Sequence, residues 1–506
     1  MIRRVQTGQG LNDALATGRL RVAHVVFFVM SATAPLTVVA GVLVTAYAVT
    51  GNTGLPIAFA AVAAVLAVFA VGYVATGRYL PHAGAIYAYV SHGIGRAPGV
   101  GAAWVALVAY NAIECSLYGA IGAAVSPLVE NWVGVELPWP VYAIAAWALV
   151  AALGMARVDL NGGVLAVLLV CEVALIIVFD AAFLTRPVEG PAWSVWSVDR
   201  LSDPGFGALL AIAVLGYVGI EATVVFSEET REPRRTIPVA MYAAIAVTTA
   251  VYAVSAWAIT AATGTSAIVT AATESGTDLV FDLIRGRLGP LAATAGHVLF
   301  ATSIIAAMIS FHNMTARYVY ALGREGVLPR VFGRTSRSGA PVAGSAAQSL
   351  VGLAVITGFA AGGADPVVRL FYTFSTSGSL GVLILLVGAA MSVLGFFARD
   401  SRGEGIWRTR VAPSISLTAL MVILVLVLAN FGTLLGVAED DPLRWGVPVA
   451  YLLTVVAGCV YAAVLRVRQP EVFRAIGLGG KSALERRRSP LTSEPRTSEP
   501  GTGGLR

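Results

Sequence analysis

The segment GALLAIAVLGYVGIEATVVF, residues 207–226, carries one carboxylic acid, Glu221, inside a long apolar run. A helix of about 20 apolar residues is long enough to cross the hydrocarbon core of a bilayer. Gly216 and Gly219 precede the acid, and two glycines in the middle of such a helix predict a break in it. Unwound backbone at membrane depth is tolerated only inside protein or beside a cavity. The segment therefore predicts a polar site inside a membrane protein.

The composition of the whole chain agrees with this prediction. Of the 506 residues, 57% are hydrophobic and 12% are charged, and the mean hydropathy is +0.79. Soluble globular proteins carry about 25% charged residues, so soluble enzymes and disordered proteins are excluded. The three cysteines lie far apart in apolar stretches, which excludes a disulfide scaffold and a CxxC metal site.

Apolar runs of membrane-spanning length predict an all-α integral membrane protein with about twelve transmembrane helices. We expect these helices at 23–49, 55–76, 98–124, 139–156, 160–184, 206–227, 236–262, 290–314, 343–361, 367–397, 411–436 and 445–466.

The basic residues predict the orientation of these helices. If the spans alternate from a cytoplasmic N-terminus, all but six of the 34 basic residues fall on the cytoplasmic side. The six exceptions are Arg186, Arg200, Arg285, Arg287, Arg369 and Arg444. The positive-inside rule then predicts a multi-pass protein of the cell membrane with both termini in the cytoplasm. This topology explains the basic pI without a nucleic-acid partner.

Three acids, Glu114, Glu172 and Glu221, fall near the middle of predicted spans. A charge at the bilayer centre costs about 2.5–3.5 kcal/mol on insertion scales, so these residues are functional candidates. The alternative for each is a protonated carboxyl group that only links helices. His297 and His312 lie too far apart along one span to share a metal, and we expect them to be packing residues.

A second break is expected in the first span, where Pro35 ends the sequence Ser31-Ala32-Thr33-Ala34-Pro35 and interrupts the helical hydrogen bonds. Interrupted helices at corresponding places of two halves indicate a transporter site. Freed N–H groups attract a carboxylate, and freed carbonyl groups attract a cation. The two breaks, five spans apart, therefore fit an amino acid or a related amine.

Three segments resemble the amino acid permeases of the amino acid–polyamine–organocation (APC) superfamily. They are YLPHAGAIYAY at 79–89, GIE at 219–221 followed by FSEETREPRRTIP at 226–238, and ARYVYALGREGVLP at 316–329. The resemblance covers about residues 22 to 467 and implies a leucine-transporter-type fold that works by alternating access.

This fold divides the chain into a cytoplasmic N-terminal segment (1–22), a permease domain (23–467) and a cytoplasmic tail (468–506) that we expect to be disordered. Within the domain, two inverted five-helix repeats are expected at about 23–184 and 206–397, with two extra helices at 411–466. The arginines of 231–235 are expected to form ion pairs with the neighbouring acids, in a cluster that opens for substrate release.

The resemblance also implies site residues. Where the family commonly has a Gly-Ser-Gly segment, this chain has Thr33-Ala34-Pro35, so the N–H groups of 32–34 are expected to bind a substrate carboxylate. The expected substrate-binding residues are Ser31, Ala32, Thr33, Ala34, Tyr110, Asn111, Glu114, Tyr217, Gly219 and Glu221. The expected outer gate is formed by Phe371, Tyr372 and Phe374.

We assign the coupling of substrate transport to the proton gradient to Glu172. Some proton-coupled relatives have a lysine in the fifth span, and Glu172 occupies the corresponding place here. A carboxyl group buried without a cationic neighbour favours its protonated form and can exchange a proton. We expect proton coupling through Glu172, with Ser310 as its hydrogen-bond partner. A sodium site using Glu172, Thr302 or Ser303, and a facilitator without coupling, are the alternatives.

The sequence thus predicts a secondary active transporter that takes up an amino acid or related amine with a proton. A polyamine or amine carrier, an exchanger and a transport-inactive amino acid sensor are the alternatives. An enzyme is not expected, because the chain has no HExxH, GxSxG or Walker motif. No cofactor or metal is expected apart from the driving ion. The expected partners are the small-molecule substrate and the lipid bilayer, and the sequence does not indicate an oligomeric state.

Overall fold

The computed structural model describes residues 11–12, 15, 18–156, 158–203, 205–438 and 440–479. In these residues, eleven helical segments are long and apolar enough to cross a membrane, and a twelfth has 16 residues. The predicted all-α, multi-pass fold is confirmed. We number the segments as spans 1 to 12 in chain order: Val22–Thr50, Leu55–Gly77, Arg96–Val133, Trp139–Gly154, Val158–Leu184, Phe206–Phe226, Pro233–Thr263, Pro290–Glu325, Val342–Ala361, Pro366–Arg399, Trp407–Ala429 and Leu443–Arg468.

Shorter elements connect the spans. The short helices and single helical turns are Ala85–Gly93, Trp193–Trp196, Val198–Ser202, Ile268–Ser275, Asp278–Leu288, Arg330–Gly333, Phe431–Leu435 and Pro470–Ala475. The two-residue strands Leu11–Asn12 and Thr335–Ser336 pair antiparallel, with Leu11 opposite Ser336. This pairing holds the start of the described chain against the loop between spans 8 and 9.

Span 1 is broken where the proline predicts it. Its first helix ends at Thr33, and Ala34 adopts the left-handed conformation with φ 45°. Pro35 is the first residue of the next helical turn, a position where a missing N–H is tolerated. A π-helical segment, Val38–Val42, follows before the α-helix resumes.

Span 6 is broken as well. Its α-helix ends at Leu215, and the chain resumes as the 3-10 helix Ile220–Phe226 after Gly219, whose φ is 107°. Such a φ is accessible to glycine but strained for other residues. A Cβ atom at Gly219 would lie 2.7 Å from the Cβ of Ala32, so the two breaks are packed against each other. The rings of Phe28 and Phe226 stack beside them at 4.7 Å.

The loops after spans 2, 6 and 8 meet on one side of the bundle. The His82 N–H donates to Ser227 Oγ (3.1 Å), and Arg324 donates twice to the Glu228 carboxylate (2.7 Å each). Most of the arginines lie in these and the neighbouring loops, so we call this the arginine-rich side. The other end of the bundle is called the opposite side.

The first part of the C-terminal tail, which we expected to be disordered, is helical in the structure. The chain continues beyond span 12 as the helix Pro470–Ala475, and Ile476 is buried. The helix packs against the protein because the Phe473 ring contacts the guanidinium groups of Arg96 and Arg466, which lie 5.8 and 6.0 Å from its centroid. Residues 480–506 of the expected tail lie outside the described residues.

Several helix crossings are close enough to require glycine. The short helix Ala85–Gly93 ends against span 10, where a Cβ atom at Gly93 would overlap the backbone carbonyl of Ser392. A Cβ atom at Gly395 would in turn overlap the carbonyl of Gly93. Such small-residue contacts allow helix backbones to approach closely in membranes.

We expect Gly93→Ala to lower the free energy of unfolding by about 1–3 kcal/mol, because the added methyl group forces backbone to move. The matched control is Gly358→Ala on span 9, where a Cβ atom would meet no atom within 4 Å. The thermal midpoint of the purified protein in detergent is the measurement. Equal midpoints for the two variants would contradict the close crossing.

Candidate transport site

Glu172 lies on span 5 with its side chain at the break of span 1. Its Oε1 atom accepts hydrogen bonds from the Leu36 backbone N–H and from the Ser303 hydroxyl, the latter at 2.7 Å. Thr37 donates to Ser303 Oγ at 3.1 Å. Leu36 is in the first turn after the break, where N–H groups have no partner within the helix and attract an anion. Glu172 thus joins spans 1, 5 and 8.

The predicted partner of Glu172 is corrected by this geometry. The Ser310 hydroxyl donates to the Ala306 carbonyl of its own helix (3.0 Å) and has no bond to Glu172. Ser303 lies two turns earlier on span 8, about 10 Å along the helix axis, at the level of the break in span 1. Thr302, named for the sodium alternative, bonds the Leu299 carbonyl instead.

Glu221 lies at the break of span 6. Its carboxylate accepts hydrogen bonds from the Tyr110 hydroxyl and the Gly219 N–H, both at 2.9 Å. Its backbone carbonyl accepts a bond from the Tyr73 hydroxyl at 3.0 Å. Both Glu172 and Glu221 are almost fully buried, and neither forms an ion pair within the part of the chain that the structure describes. Two buried carboxyl groups therefore lie at the two breaks without a positively charged side chain bound to them.

The predicted residues of span 1 lie at its break and have different hydrogen-bond partners. The Ser31 hydroxyl is buried and has no hydrogen-bond partner among the residues that the structure describes. Thr33 bonds the Met30 carbonyl with its side chain, and its own carbonyl accepts a bond from Tyr252 of span 7 (2.8 Å). The Ala34 N–H donates to the Ser31 carbonyl, and Ala32 packs on Gly219. Tyr252 is a site residue that the sequence did not reveal, because a tyrosine within an apolar span carries no positional signal.

The expected carboxylate-binding N–H groups are therefore corrected. Ala32 and Thr33 belong to the last turn of the helix Val22–Thr33, so their N–H groups bond carbonyl groups of that helix, and the Ala34 N–H bonds the Ser31 carbonyl. Tyr217 lies at the break of span 6, as predicted, but its hydroxyl bonds the Phe59 carbonyl and Thr249, both at 2.9 Å. Tyr217 thus ties span 6 to spans 2 and 7.

Glu114 does not share a site with Glu221. Its carboxylate accepts hydrogen bonds from His312 Nδ1 at 3.0 Å, from Tyr118 at 3.3 Å and from Gln348 Nε2. His312 Nε2 lies 2.8 Å from Ser345 Oγ. Glu114 is one turn, about 6 Å, beyond Tyr110 on span 3, and at that level the neighbours are spans 8 and 9. The prediction of Glu114 as a substrate ligand is corrected to a buried cluster that joins three helices.

Two further predicted residues face away from the breaks. Asn111 and Phe374 line a groove of about 530 Å³ between spans 3, 9, 10 and 12, and the Phe374 ring contacts Phe359 at 5.5 Å. Asn111 follows Tyr110 by one residue, which rotates its side chain by about 100° around the helix. The other predicted gate residues, Phe371 and Tyr372, line a cavity of about 80 Å³ between spans 1, 6 and 10 and the short helix Phe431–Leu435, on the opposite side of the breaks.

On the arginine-rich side, ion pairs between spans 6 and 8 close the bundle. Arg317 is 1% exposed and bonds both carboxylate oxygens of Glu229, at 2.6 and 3.2 Å. The Glu229 carbonyl accepts the N–H groups of 19 and 20. The expected pairing with the arginines of 231–235 is corrected, because the partners come from span 8.

The second ion pair of this closure, between Glu228 and Arg324, remains charged at neutral pH. Burial alone raises the pKa of Glu228, but the hydrogen bonds and the charge of Arg324 outweigh burial and hold that pKa below its usual range. A carboxyl group whose pKa is depressed in the folded state contributes stability above its unfolded pKa. That contribution is lost only as the pH falls through the folded pKa.

Two interrupted membrane helices that contact each other at their breaks are typical of the binding sites of transporters. Comparison with known proteins agrees. The chain belongs to the amino acid permease family, whose sequence profile matches residues 20–458. It is also similar to the uncharacterized transporter lpg1691 of Legionella pneumophila subsp. pneumophila, with 24% identity over 281 residues. That match spans 52% of this chain and 58% of the relative.

We expect Glu114→Ala to lower the free energy of unfolding by about 3–5 kcal/mol, because His312 and Gln348 are left buried without their partner. Glu114→Gln should be milder, since the amide oxygen still accepts a bond. Glu130→Ala, at an exposed position of the same span, is the control and should change stability by less than about 0.5 kcal/mol. Thermal unfolding in detergent measures all three. A midpoint for Glu114→Ala equal to that of the control would contradict the cluster.

Proposed function

We propose that this permease carries an amino acid or a related amine across the membrane together with a proton, and that Glu172 carries the proton. The observation that supports this most directly is the position of the Glu172 carboxyl group. It is buried, it has no bound cation among the described residues, and it links the broken span 1 to span 8 through Leu36 and Ser303. The protonation state of Glu172 therefore changes how tightly span 1 is held, and span 1 is the helix that moves in the proposed transport cycle.

The coupling follows from the strength of these bonds. An ionised Glu172 accepts a charge-assisted hydrogen bond from the first turn after the break, where the helix dipole favours an anion. Protonation removes the charge and weakens this bond and the one to Ser303. Span 1 is then less tightly held to spans 5 and 8, so proton binding favours its movement. Alternating access uses such a difference between two protonation states.

The cationic end of the substrate is assigned to Glu221. Its carboxylate keeps one neutral hydrogen bond from Tyr110 and one from Gly219, and the buried Ser31 hydroxyl lies on the neighbouring break. An ammonium group bound there would neutralise a buried charge, which is otherwise costly inside a membrane. Pairing of the substrate with Glu221 also gives the site a means of selecting cations.

One observation favours the second candidate, an amine without an α-carboxylate. At the N-terminal end of the resumed span 1, Pro35 has no N–H and the Leu36 N–H is bonded to Glu172. The protein's own carboxylate therefore occupies the place where a substrate carboxylate would bind. A polyamine or amine carrier needs no binding place for a carboxylate. Measuring which ligands bind therefore distinguishes an amino acid carrier from an amine carrier.

We further propose that the arginine-rich side faces the cytoplasm and that the protein resides in the cell membrane, as the distribution of basic residues supports. The small cavity beside Phe371 and Tyr372 would then lie on the outer pathway. Sodium coupling, exchange and a sensor without transport are the alternatives that the transport assay below distinguishes.

In liposomes, an acidic exterior should drive accumulation of the labelled substrate, by at most about tenfold per pH unit for one proton. Glu172→Gln should abolish accumulation but keep substrate exchange, since the amide still accepts the Leu36 bond without a charge. Asp180→Asn is the matched control, because Asp180 is another buried acid of span 5 and, in the part of the chain that the structure describes, accepts a hydrogen bond from Ser255 and not from span 1. Accumulation that ignores the pH gradient, or that survives in Glu172→Gln, would refute the coupling; accumulation that needs sodium would support the alternative.

Glu221→Gln should weaken binding of the cationic substrate by about 10- to 100-fold, the loss expected for a hydrogen bond to a charged group. Asn111→Ala is the control, since Asn111 adjoins Tyr110 in the chain but lines the groove of spans 3, 9, 10 and 12. A thermal-shift screen of amino acids and of amines without a carboxyl group identifies the ligand for both variants. Unchanged affinity in Glu221→Gln would exclude Glu221 as the counter-ion, and stabilisation by amines alone would favour the second candidate.

A further inference from the structure

The chain beyond span 12 returns to the arginine-rich side and contacts the loops that close it. We call residues 470–479 the C-terminal strap. It begins as the helix Pro470–Ala475, which is held by contacts of the Phe473 ring with the guanidinium groups of Arg96 and Arg466. Arg96 also donates to the Arg474 carbonyl at 3.3 Å, and the Ile476 side chain is 1% exposed. The strap is thus docked by apolar and polar contacts on span 3 and span 12.

The end of the strap binds a buried acid at the end of span 8. Glu325 is 0% exposed, and its carboxylate accepts the N–H groups of Gly477 (2.8 Å) and Gly479 (2.6 Å). It also accepts bonds from His82 Nε2 at 2.7 Å and from the Tyr87 hydroxyl. Two donors therefore come from the strap and two from the segment after span 2.

The two strap glycines are required by this approach. Gly477 has φ 79° and Gly479 has φ 59°, both in the left-handed region. A Cβ atom at Gly477 would lie 2.8 Å from the Ser91 side chain, and one at Gly479 would lie 2.8 Å from the His82 ring. Only a backbone without side chains brings both N–H groups to Glu325.

The segment held by the strap is part of the closure between spans 6 and 8. The His82 N–H donates to Ser227 Oγ and the Ala83 N–H donates to Glu228 at 2.9 Å. His92 Nε2 lies 2.9 Å from the Gly477 carbonyl, so the strap contacts both ends of 82–92. Opening of the arginine-rich side has to separate these groups, and the strap opposes that separation.

We propose that the C-terminal strap is an autoinhibitory latch, which holds the arginine-rich side closed by supplying two backbone donors to Glu325. Release of the strap removes half of the donors to this carboxylate. The segment 82–92 and the end of span 6 are then held together by fewer hydrogen bonds and separate more readily. This inference requires only a transporter that opens on this side, and it holds for any substrate or coupling ion.

The latch is tested by the reactivity of a buried reporter. Thr223 is 0% exposed and lies on span 6 between Glu221 and the closing ion pairs. In a background with Cys115, Cys171 and Cys459 replaced by alanine, Thr223→Cys should react slowly with a water-soluble maleimide in purified full-length protein. Truncation after residue 469 should raise this rate by about tenfold, the change expected for a lost hydrogen bond to a charged group. A peptide of residues 470–479 added in trans should restore the slow rate.

A point variant separates the latch from a loss of folding. Gly479→Val should raise the rate like the truncation, because its Cβ atom meets His82. Gly403→Val is the matched control, since Gly403 also has a positive φ (78°) but no atom within 4 Å of its Cβ position. The thermal midpoints of Gly479→Val and Gly403→Val should agree within a few degrees. Maleimide rates unchanged by both the truncation and Gly479→Val would overturn the proposal, whatever the outcome of the substrate and proton experiments.

Discussion

The constraint on which this structure depends is that backbone groups freed inside a membrane need polar partners. Spans 1 and 6 are both interrupted, and their interruptions touch at Ala32 and Gly219. Glu172 bonds the N–H of Leu36, the Glu221 carboxylate bonds the N–H of Gly219, and Tyr252 bonds the carbonyl of Thr33. The carboxyl groups that satisfy the breaks are also the groups to which the proposed mechanism assigns the proton and the cationic substrate, so in that mechanism stability and function share the same atoms.

Around this centre, the bundle contains contacts of two kinds. The cluster of Glu114 and His312 is buried, has many hydrogen bonds and joins spans 3, 8 and 9, which suits helices that stay together. The contacts on the arginine-rich side include ion pairs and hydrogen bonds between loops and helix ends, such as Arg324 with Glu228. Polar contacts of this kind can be exchanged for water when the side opens, whereas separating the Glu114 cluster would leave buried polar groups without their hydrogen-bond partners.

Much of the fold could be predicted from the sequence, because membrane thickness sets the length of each apolar run. The spans, the break at Pro35 and the break at Gly219 were predicted from residue types alone. The neighbours of the buried acids could not be, since helical periodicity gives a face but not the helix opposite it. Ser303 and Ser310 are separated by two turns on one span. Only the packing of the helices shows that Ser303 lies at the depth of the span 1 break and bonds Glu172. Glu114 and Asn111 were misplaced for the same reason.

The sequence by itself determined that this chain spans a membrane many times, that two of its helices are broken and that few carboxyl groups lie inside the apolar runs. These properties follow from the hydropathy of each residue and from the backbone chemistry of glycine and proline. The tertiary structure alone decided which carboxyl group meets which break, that span 8 supplies the arginines of the closure, and that residues 470–479 return to Glu325. These contacts join residues that are far apart in the chain, and only the packing of the helices brings them within hydrogen-bond distance.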